Sequence, residues 1–137
     1  MKEAMLRDFF AGAAGAEALA ADLDGARTVG ADTSRYSIEP GNDGAFGVTP
    51  AHLVKVCDAF LAGMLTGEHL RIIGFSLLSS DFFAWQGDDA AQETLAVVAS
   101  DWATPEINFP IVRENVEKWR RLLQGEKHAF SPLKSVR

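Results

Sequence analysis

Three carboxylates, Asp81, Asp101 and Glu106, are the side chains whose chemistry would best suit acid and base catalysis. Such catalysis needs an acid and a base in one cleft, and carboxylates scattered along an acidic chain are usually just solvated. The sequence also lacks the GxGxxG, GxxxxGK(S/T), GxSxG and HExxH patterns that mark nucleotide binding, acyl transfer and metal-assisted hydrolysis. We therefore predict no catalytic residues and expect that the protein is not an enzyme.

The three histidines and the single cysteine do not form a metal-binding pattern. His52 and His69 fall on two different predicted helices and His128 on the C-terminal segment, without the spacing of a local zinc motif. Cys57 has no second cysteine to pair with, and its neighbour Asp58 would raise the pKa of the thiol, which disfavours a nucleophile. We predict no metal site and no cofactor.

A rigid stretch, SDWATPEINFP, occupies residues 100–110. Its two prolines restrict the backbone, and Trp102 adds a large apolar ring with one hydrogen-bond donor, a composition typical of a corner between two helices. In that interpretation Asn108 caps the last helix, and Glu106 lies near the positive N-terminal end of that helix. The alternative is a recognition loop that contacts a partner.

A second stretch, SSDFFAWQGDD at residues 79–89, combines aromatic and acidic side chains. Its three aromatic rings are most simply core residues, and one of its last two aspartates would cap the following helix. If the rings are exposed within an acidic rim, the stretch would instead be a hot spot for a protein partner. The partner-binding face predicted from the two stretches consists of Asp81, Trp85, Asp88, Asp89, Asp101 and Glu106.

The net charge of −6 over 137 residues is distributed unevenly. Residues 1–109 carry a charge of −10, whereas residues 110–137 carry +4, so we expect an acidic body with a basic last helix and tail. A nucleic-acid partner requires a basic stripe that replaces counterions on the phosphates. The charge therefore disfavours direct binding to nucleic acid and favours a basic protein partner.

The distribution of apolar residues disfavours a membrane location. No run approaches the roughly 18 apolar residues that a membrane helix requires. Near the N-terminus, Glu3, Arg7 and Asp8 interrupt the apolar residues where a secretory signal needs an uncharged core. Together with the lone cysteine, which suits a reducing compartment, these features predict a cytoplasmic protein.

Hydrophobic periodicity and capping residues predict helices along most of the chain. The helix boundaries are marked by Gly12, Gly25, Thr49 with Pro50, Gly63, Thr66, Asp88 or Asp89, Pro110 and Gly125. Alternating apolar residues around a turn predict a short β-hairpin between Arg35 and Val48. The predicted fold is mainly α, a single-domain bundle of five or six helices over residues 1–125, with a tail at residues 126–137.

Residues 49–125 resemble a group of small bacterial proteins, many without an assigned function. The resemblance rests on a helix ending in LAG (61–63), an apolar helix running into SSDFFAW (79–85), the motif DWATPEINFP (101–110) and the closing helix ENVEKWRRLLQG (114–125). This group is similar to bacterial immunity proteins of the colicin type, which are small, acidic, cytoplasmic helical bundles that bind and block a toxin domain.

The closing helix is also similar to that of colicin and pyocin immunity proteins, which carries an IV…V…WR…G arrangement. In this sequence the spacing from Ile111 to Trp119 is one residue longer, and the acidic DSP-type motif of those proteins is missing. No toxin-contacting residue is therefore carried over to this chain.

The preferred functional hypothesis is a non-enzymatic protein-binding protein, an immunity or antitoxin-like inhibitor of a basic toxin domain. One alternative is a homodimeric structural or regulatory module that pairs through the apolar helix at residues 70–78 or through the closing helix. Another alternative is a small enzyme or ligand-binding bundle with a pocket lined by Phe82, Trp85 and Trp102.

Overall fold

Helices make up most of the regular structure in the computed structural model, which describes residues 1–41 and 44–126. The helices are α1 (Glu3–Ala11), α2 (Ala16–Leu23), α3 (Pro50–Leu61), α4 (Gly67–Ser79), α5 (Asp89–Ala103) and α6 (Arg113–Leu123). The strands are β1 (Arg27–Val29), β2 (Ser34–Tyr36), β3 (Phe46–Val48) and β4 (Phe83–Trp85). The predicted mainly α fold with a small hairpin is confirmed. All of the predicted tail except Glu126 lies outside the described residues.

The starts of α3 and α4 share one capping arrangement, in which a threonine is followed three residues later by a histidine. The backbone N–H of Thr49 donates to Nδ1 of His52 at 3.0 Å. The backbone N–H of Thr66 donates to Nδ1 of His69 at 3.1 Å, and the Thr66 hydroxyl accepts from the His69 N–H at 3.2 Å. These bonds satisfy amides that have no partner within the helix, which explains why both helices begin where the sequence predicts.

The β-hairpin is formed by different strands from those that the sequence pattern suggested. β1 pairs antiparallel with β2, with Arg27 opposite Tyr36. β3 pairs in parallel with the more distant β4, with Phe46 opposite Phe83 and Val48 opposite Trp85. The alternation of apolar and polar residues identifies a strand but not the strand it pairs with. In the pairing of β3 with β4, Val48 is fully buried.

Helix α6 begins three residues later than the sequence predicted, at Arg113 rather than at Pro110. Asn108 does not cap it, because its side-chain amide donates to the hydroxyl of Thr104 at 2.9 Å. The Pro110 carbonyl instead accepts from the side-chain amide of Asn115 at 2.9 Å, so the proline belongs to a turn before the helix. Both predictions were wrong because Phe109 is buried in the core, which fixes the chain direction at this corner.

The core is built around two helix pairs, α4 with α5 and α3 with α6. The close approach of α4 to α5 depends on Gly74, because a Cβ added there would lie 2.6 Å from the Ala99 carbonyl oxygen and 2.8 Å from Cβ of Trp102. The two pairs meet at Trp102 and Trp119, whose ring centroids are 6.3 Å apart in an edge-to-face arrangement. This packing fixes the corner after α5 and the start of α6.

The N-terminus is attached to the segment that precedes β3. The backbone N–H of Glu3 donates to the Glu39 carbonyl at 2.9 Å, and the Glu39 N–H donates to the Met1 carbonyl at 2.7 Å. A carboxylate oxygen of Glu3 also accepts from the backbone N–H of Gly41 at 2.8 Å. These bonds hold residues 37–41 beside the start of α1, close to the end of α4.

Candidate protein-binding surface

The exposed carboxylates closest together in sequence lie between the end of α4 and the first turns of α5. Phe82 and Phe83 point into the core, as the simpler of the two sequence interpretations expected, and Trp85 is half-buried. Asp88 is the N-cap of α5, and its carboxylate accepts from the Ala91 N–H at 2.8 Å. The aromatic rings therefore anchor this stretch, whereas its carboxylates face solvent.

Four exposed carboxylates belong to residues 81–93, which we call the acidic segment. They are Asp81, Asp88, Asp89 and Glu93. Sequence reasoning missed Glu93, although it lies one helical turn after Asp89 and so shares its side of α5. The start of α5 thus presents closely spaced negative charges to solvent.

None of these four carboxylates forms an ion pair with a residue in the described part of the chain. Elsewhere on the surface, Glu68 pairs with Arg27 at 2.7 Å and Asp58 pairs with Arg120 at 2.6 Å. Residues 72–112 contain no lysine, arginine or histidine, so no basic side chain lies near these carboxylates in the sequence. The acidic segment consequently keeps its negative charge while other carboxylates are neutralised by neighbours.

Asp101 does not belong to this surface, and the prediction that it does was wrong. It is only 4% exposed, on the inner side of α5. Its carboxylate accepts a hydrogen bond from Nε1 of Trp119 at 3.1 Å. A carboxylate held in this way joins α5 to α6 and is not available to a partner.

Glu106 is exposed but lies far from the acidic segment. Residues 94–103 of α5 separate the two, a distance of about 15 Å at 1.5 Å per residue. Its carboxylate pairs with Arg71 of α4 at 3.0 Å, rather than lying in the first turn of α6. The six residues predicted as one face therefore divide into a segment at the start of α5, a buried aspartate and an ion pair at the opposite end.

The stretch at residues 100–110 is a packed corner with one prominent exposed apolar side chain. Trp102 and Phe109 are buried, whereas Ile107 is 71% exposed. The indole N–H of Trp102 has no hydrogen-bond partner among the described residues. With its largest ring fully buried, most of this stretch serves the packing of α5 against α6.

The histidines in the described chain have structural partners. Nδ1 of both His52 and His69 accepts a backbone N–H, and Nε2 of His69 lies 2.6 Å from a carboxylate oxygen of Asp24. Burial, and then the nearby charge of Lys55, lowers the pKa of His52 below its usual 6.5. The described residues contain no group of three or more potential metal ligands. His128 lies outside the described residues.

Cys57 is buried within α3. Burial is the main cause that raises the pKa of its thiol to about 12, and the neighbouring carboxylate of Asp58 adds to the effect. The thiol therefore stays protonated at neutral pH, a state in which a cysteine is a poor nucleophile.

The two surfaces suggested for a homodimer are largely occupied inside the protein. Along α4, Leu70, Ile73 and Leu77 are buried, and Leu78 is the exposed large apolar side chain of that helix. The apolar stripe of α6 is also buried, including the fully buried ring of Trp119. Neither stripe is free to form a broad apolar interface.

The pocket suggested for a small ligand is not lined by the three rings proposed for it. A cleft of about 540 Å³ does lie beside Phe82, but neither Trp85 nor Trp102 lines it. Its lining includes Glu3, Ile38 and Asp81, so it adjoins the acidic segment.

Comparisons with known proteins add no homologue. No protein-family model matches this sequence, and no curated protein or solved structure matches it either. In the described part of the chain, no helix combines the length and apolar content that crossing a bilayer requires.

Proposed function

We propose that this protein is a cytoplasmic, non-enzymatic binding protein whose acidic segment contacts a basic surface of a protein partner. The observation that carries the proposal is the set of four exposed carboxylates at residues 81–93 without ion pairs among the described residues. Like charges kept close together reduce stability slightly, and a partner of opposite charge relieves that repulsion. The resemblance to colicin-type immunity proteins suggests that this partner is a basic toxin domain, which the protein would inhibit.

The electrostatics of the acidic segment suit rapid association with such a partner. A surface patch of one sign steers a basic domain during diffusional encounter and raises the association rate, most strongly at low salt. The same patch repels nucleic acid, so direct binding to a phosphate backbone is disfavoured. Half-buried Trp85, on the strand just before Asp88, adds an aromatic surface of the kind that is enriched at binding hot spots.

The proposal is tested first by retention of partners from the native host on immobilised protein at low salt. The expected result is retention of a basic protein that is released as the ionic strength is raised. If no basic protein is retained, the proposal fails. A concentration-dependent mass of the isolated protein would instead favour the homodimer alternative.

The second stage measures association kinetics between the purified partner and a charge-reversed variant. The variant carries Asp89→Lys and Glu93→Lys, which leaves the Asp88 cap of α5 intact. The matched control carries Glu17→Lys and Asp32→Lys, because both residues are exposed and the change in net charge is identical. We expect the association rate constant of the first variant to fall at least about tenfold relative to the control. Equal association rate constants for the two variants would contradict a role for the acidic segment.

A further inference from the structure

The cleft beside the acidic segment is bounded by the start of α1, by residues 38–41 and 44–45, and by the end of α4. Its volume is about 540 Å³. Among the described residues, two carboxylates, Glu3 and Asp81, line it together with the apolar side chains of Ile38 and Phe82. No lysine, arginine or histidine of the described chain is part of this lining.

The carboxylate of Glu3 lies in a largely buried position beside the backbone of Gly41. Glu3 is only 4% exposed, and one of its carboxylate oxygens accepts a hydrogen bond from the backbone N–H of Gly41 at 2.8 Å. The position in the first turn of α1 adds the favourable dipole of a helix N-terminus. Among the described residues, however, no cation pairs with Glu3, and a buried carboxylate without a counter-charge is costly. A cation entering the cleft would supply that counter-charge.

The walls of the cleft are fixed by close packing and by internal hydrogen bonds. A Cβ at Gly41 would lie 2.6 Å from the Phe82 ring, so only glycine lets the backbone pass over that ring. The hydroxyl of Ser80 accepts from the Phe82 N–H, and the hydroxyl of Ser79 donates to the Phe75 carbonyl. Each of these two hydroxyls thus has a partner inside the protein, and the charged side chains among the described lining residues are Glu3 and Asp81.

We propose that this cleft binds one basic side chain of the partner, an arginine or a lysine. Its charged end would lie between Glu3 and Asp81, and its aliphatic stem against Phe82 and Ile38, since long basic side chains pack their stems on apolar surface. A divalent metal ion fits less well, because the described residues contain no group of three or more potential metal ligands. The inference rests on the proposed function and adds a specific anchor to its long-range electrostatics.

The test begins with a probe that does not require the natural partner. N-acetyl-arginine amide is titrated into the full chain while backbone amide signals are followed by NMR, and the neutral N-acetyl-citrulline amide is the matched probe. The expected result is a saturable shift of the Gly41, Ala45 and Asp81 signals with the arginine probe alone. Equal shifts with both probes, or shifts confined to Asp88 and Asp89, would overturn the proposal.

Two variants then test whether the carboxylates carry the selectivity. Glu3→Gln removes the charge but keeps an amide oxygen that can accept from Gly41. Asp81→Asn removes the charge of the exposed carboxylate in the lining and keeps the size of the side chain. Glu17→Gln is the control, since it removes one exposed carboxylate outside the cleft. We expect Glu3→Gln and Asp81→Asn each to weaken arginine-probe binding at least about fivefold, with Glu17→Gln unchanged. Unchanged binding by both cleft variants would overturn the proposal, and Asp81→Asn decides the matter if Glu3→Gln does not fold.

The outcomes for the cleft and for the proposed function are separable. If the purified partner depends on Asp89 and Glu93 but binds the Glu3→Gln variant normally, the cleft inference fails and the proposed function stands. If the host yields no basic partner while the arginine probe distinguishes wild type from Glu3→Gln, the cleft binds a basic side chain and the proposed function fails.

Discussion

Carboxylates of the same chemical type have three different surroundings in this protein. Asp101 is buried and accepts from Trp119, Glu106 pairs with Arg71, and Asp89 faces solvent without an ion pair among the described residues. Their sequence contexts gave no means of separating them, because each lies close to aromatic or helical residues. At this scale, burial decides whether a carboxylate stabilises the fold or is available to bind a partner.

Replacing Asp101 should destabilise the isolated protein. We expect Asp101→Ala to lower the free energy of unfolding by about 1–3 kcal/mol, because it leaves the buried indole N–H of Trp119 without this acceptor. Urea unfolding of Asp101→Ala, Trp119→Phe and the double variant should give a coupling energy of about 1 kcal/mol. The exposed control Asp89→Ala should change stability by about 0.5 kcal/mol or less. A coupling energy near zero would show that the hydrogen bond does not contribute to stability.

At the scale of elements, local interactions set the helix boundaries and long-range packing sets the partners. The capping histidines of α3 and α4 act within four residues, so the starts of both helices could be read from the sequence. The start of α6 could not, because burial of Phe109 places Pro110 in a turn. The close contact of α4 with α5 depends on Gly74, whose role no local pattern indicates.

Substitution of Gly74 should therefore disturb the packing of α4 on α5. Gly74→Ala would bring a methyl group within 2.6 Å of the Ala99 carbonyl and 2.9 Å of the Ala103 N–H, which are backbone atoms that cannot rotate away. We expect a loss of about 1–3 kcal/mol in stability despite the better helix propensity of alanine. Gly15→Ala is the control, since nothing lies within 4 Å of a Cβ there, and it should cost about 1 kcal/mol or less. Equal thermal unfolding midpoints for Gly74→Ala and the wild-type protein would contradict this account.

At the scale of the whole molecule, one cluster of buried side chains connects all six helices of the described chain. It includes Leu6 of α1, Leu19 of α2, Val56 of α3, Ile73 of α4, Val98 of α5 and Val116 of α6. The charge has a different distribution, because residues 72–112 lack basic side chains while α6 contains four. The shared core suits a protein that folds as one unit, and the segregated surface charge is the feature on which the proposed recognition of a partner depends.

This shared core predicts a single cooperative unfolding transition, which also tests the predicted single domain over residues 1–125. Far-UV circular dichroism reports helices, and tryptophan fluorescence reports mainly the buried rings of Trp102 and Trp119. We expect the two signals to give the same midpoint and the same slope in urea. Separate transitions would mean that part of the chain, such as α1 with α2, unfolds independently.

The sequence by itself determined the mainly α fold, most helix boundaries and the excess of acidic side chains, because these depend on composition and on neighbours within one helical turn. Only the tertiary structure decided which strands pair, because the alternation of apolar and polar residues in a strand is the same whichever strand lies beside it. It also decided that Asp101 is internal and that Glu3 lies beside Gly41, 38 residues away. Such contacts depend on how the helices pack, and burial then gives identical side chains different roles.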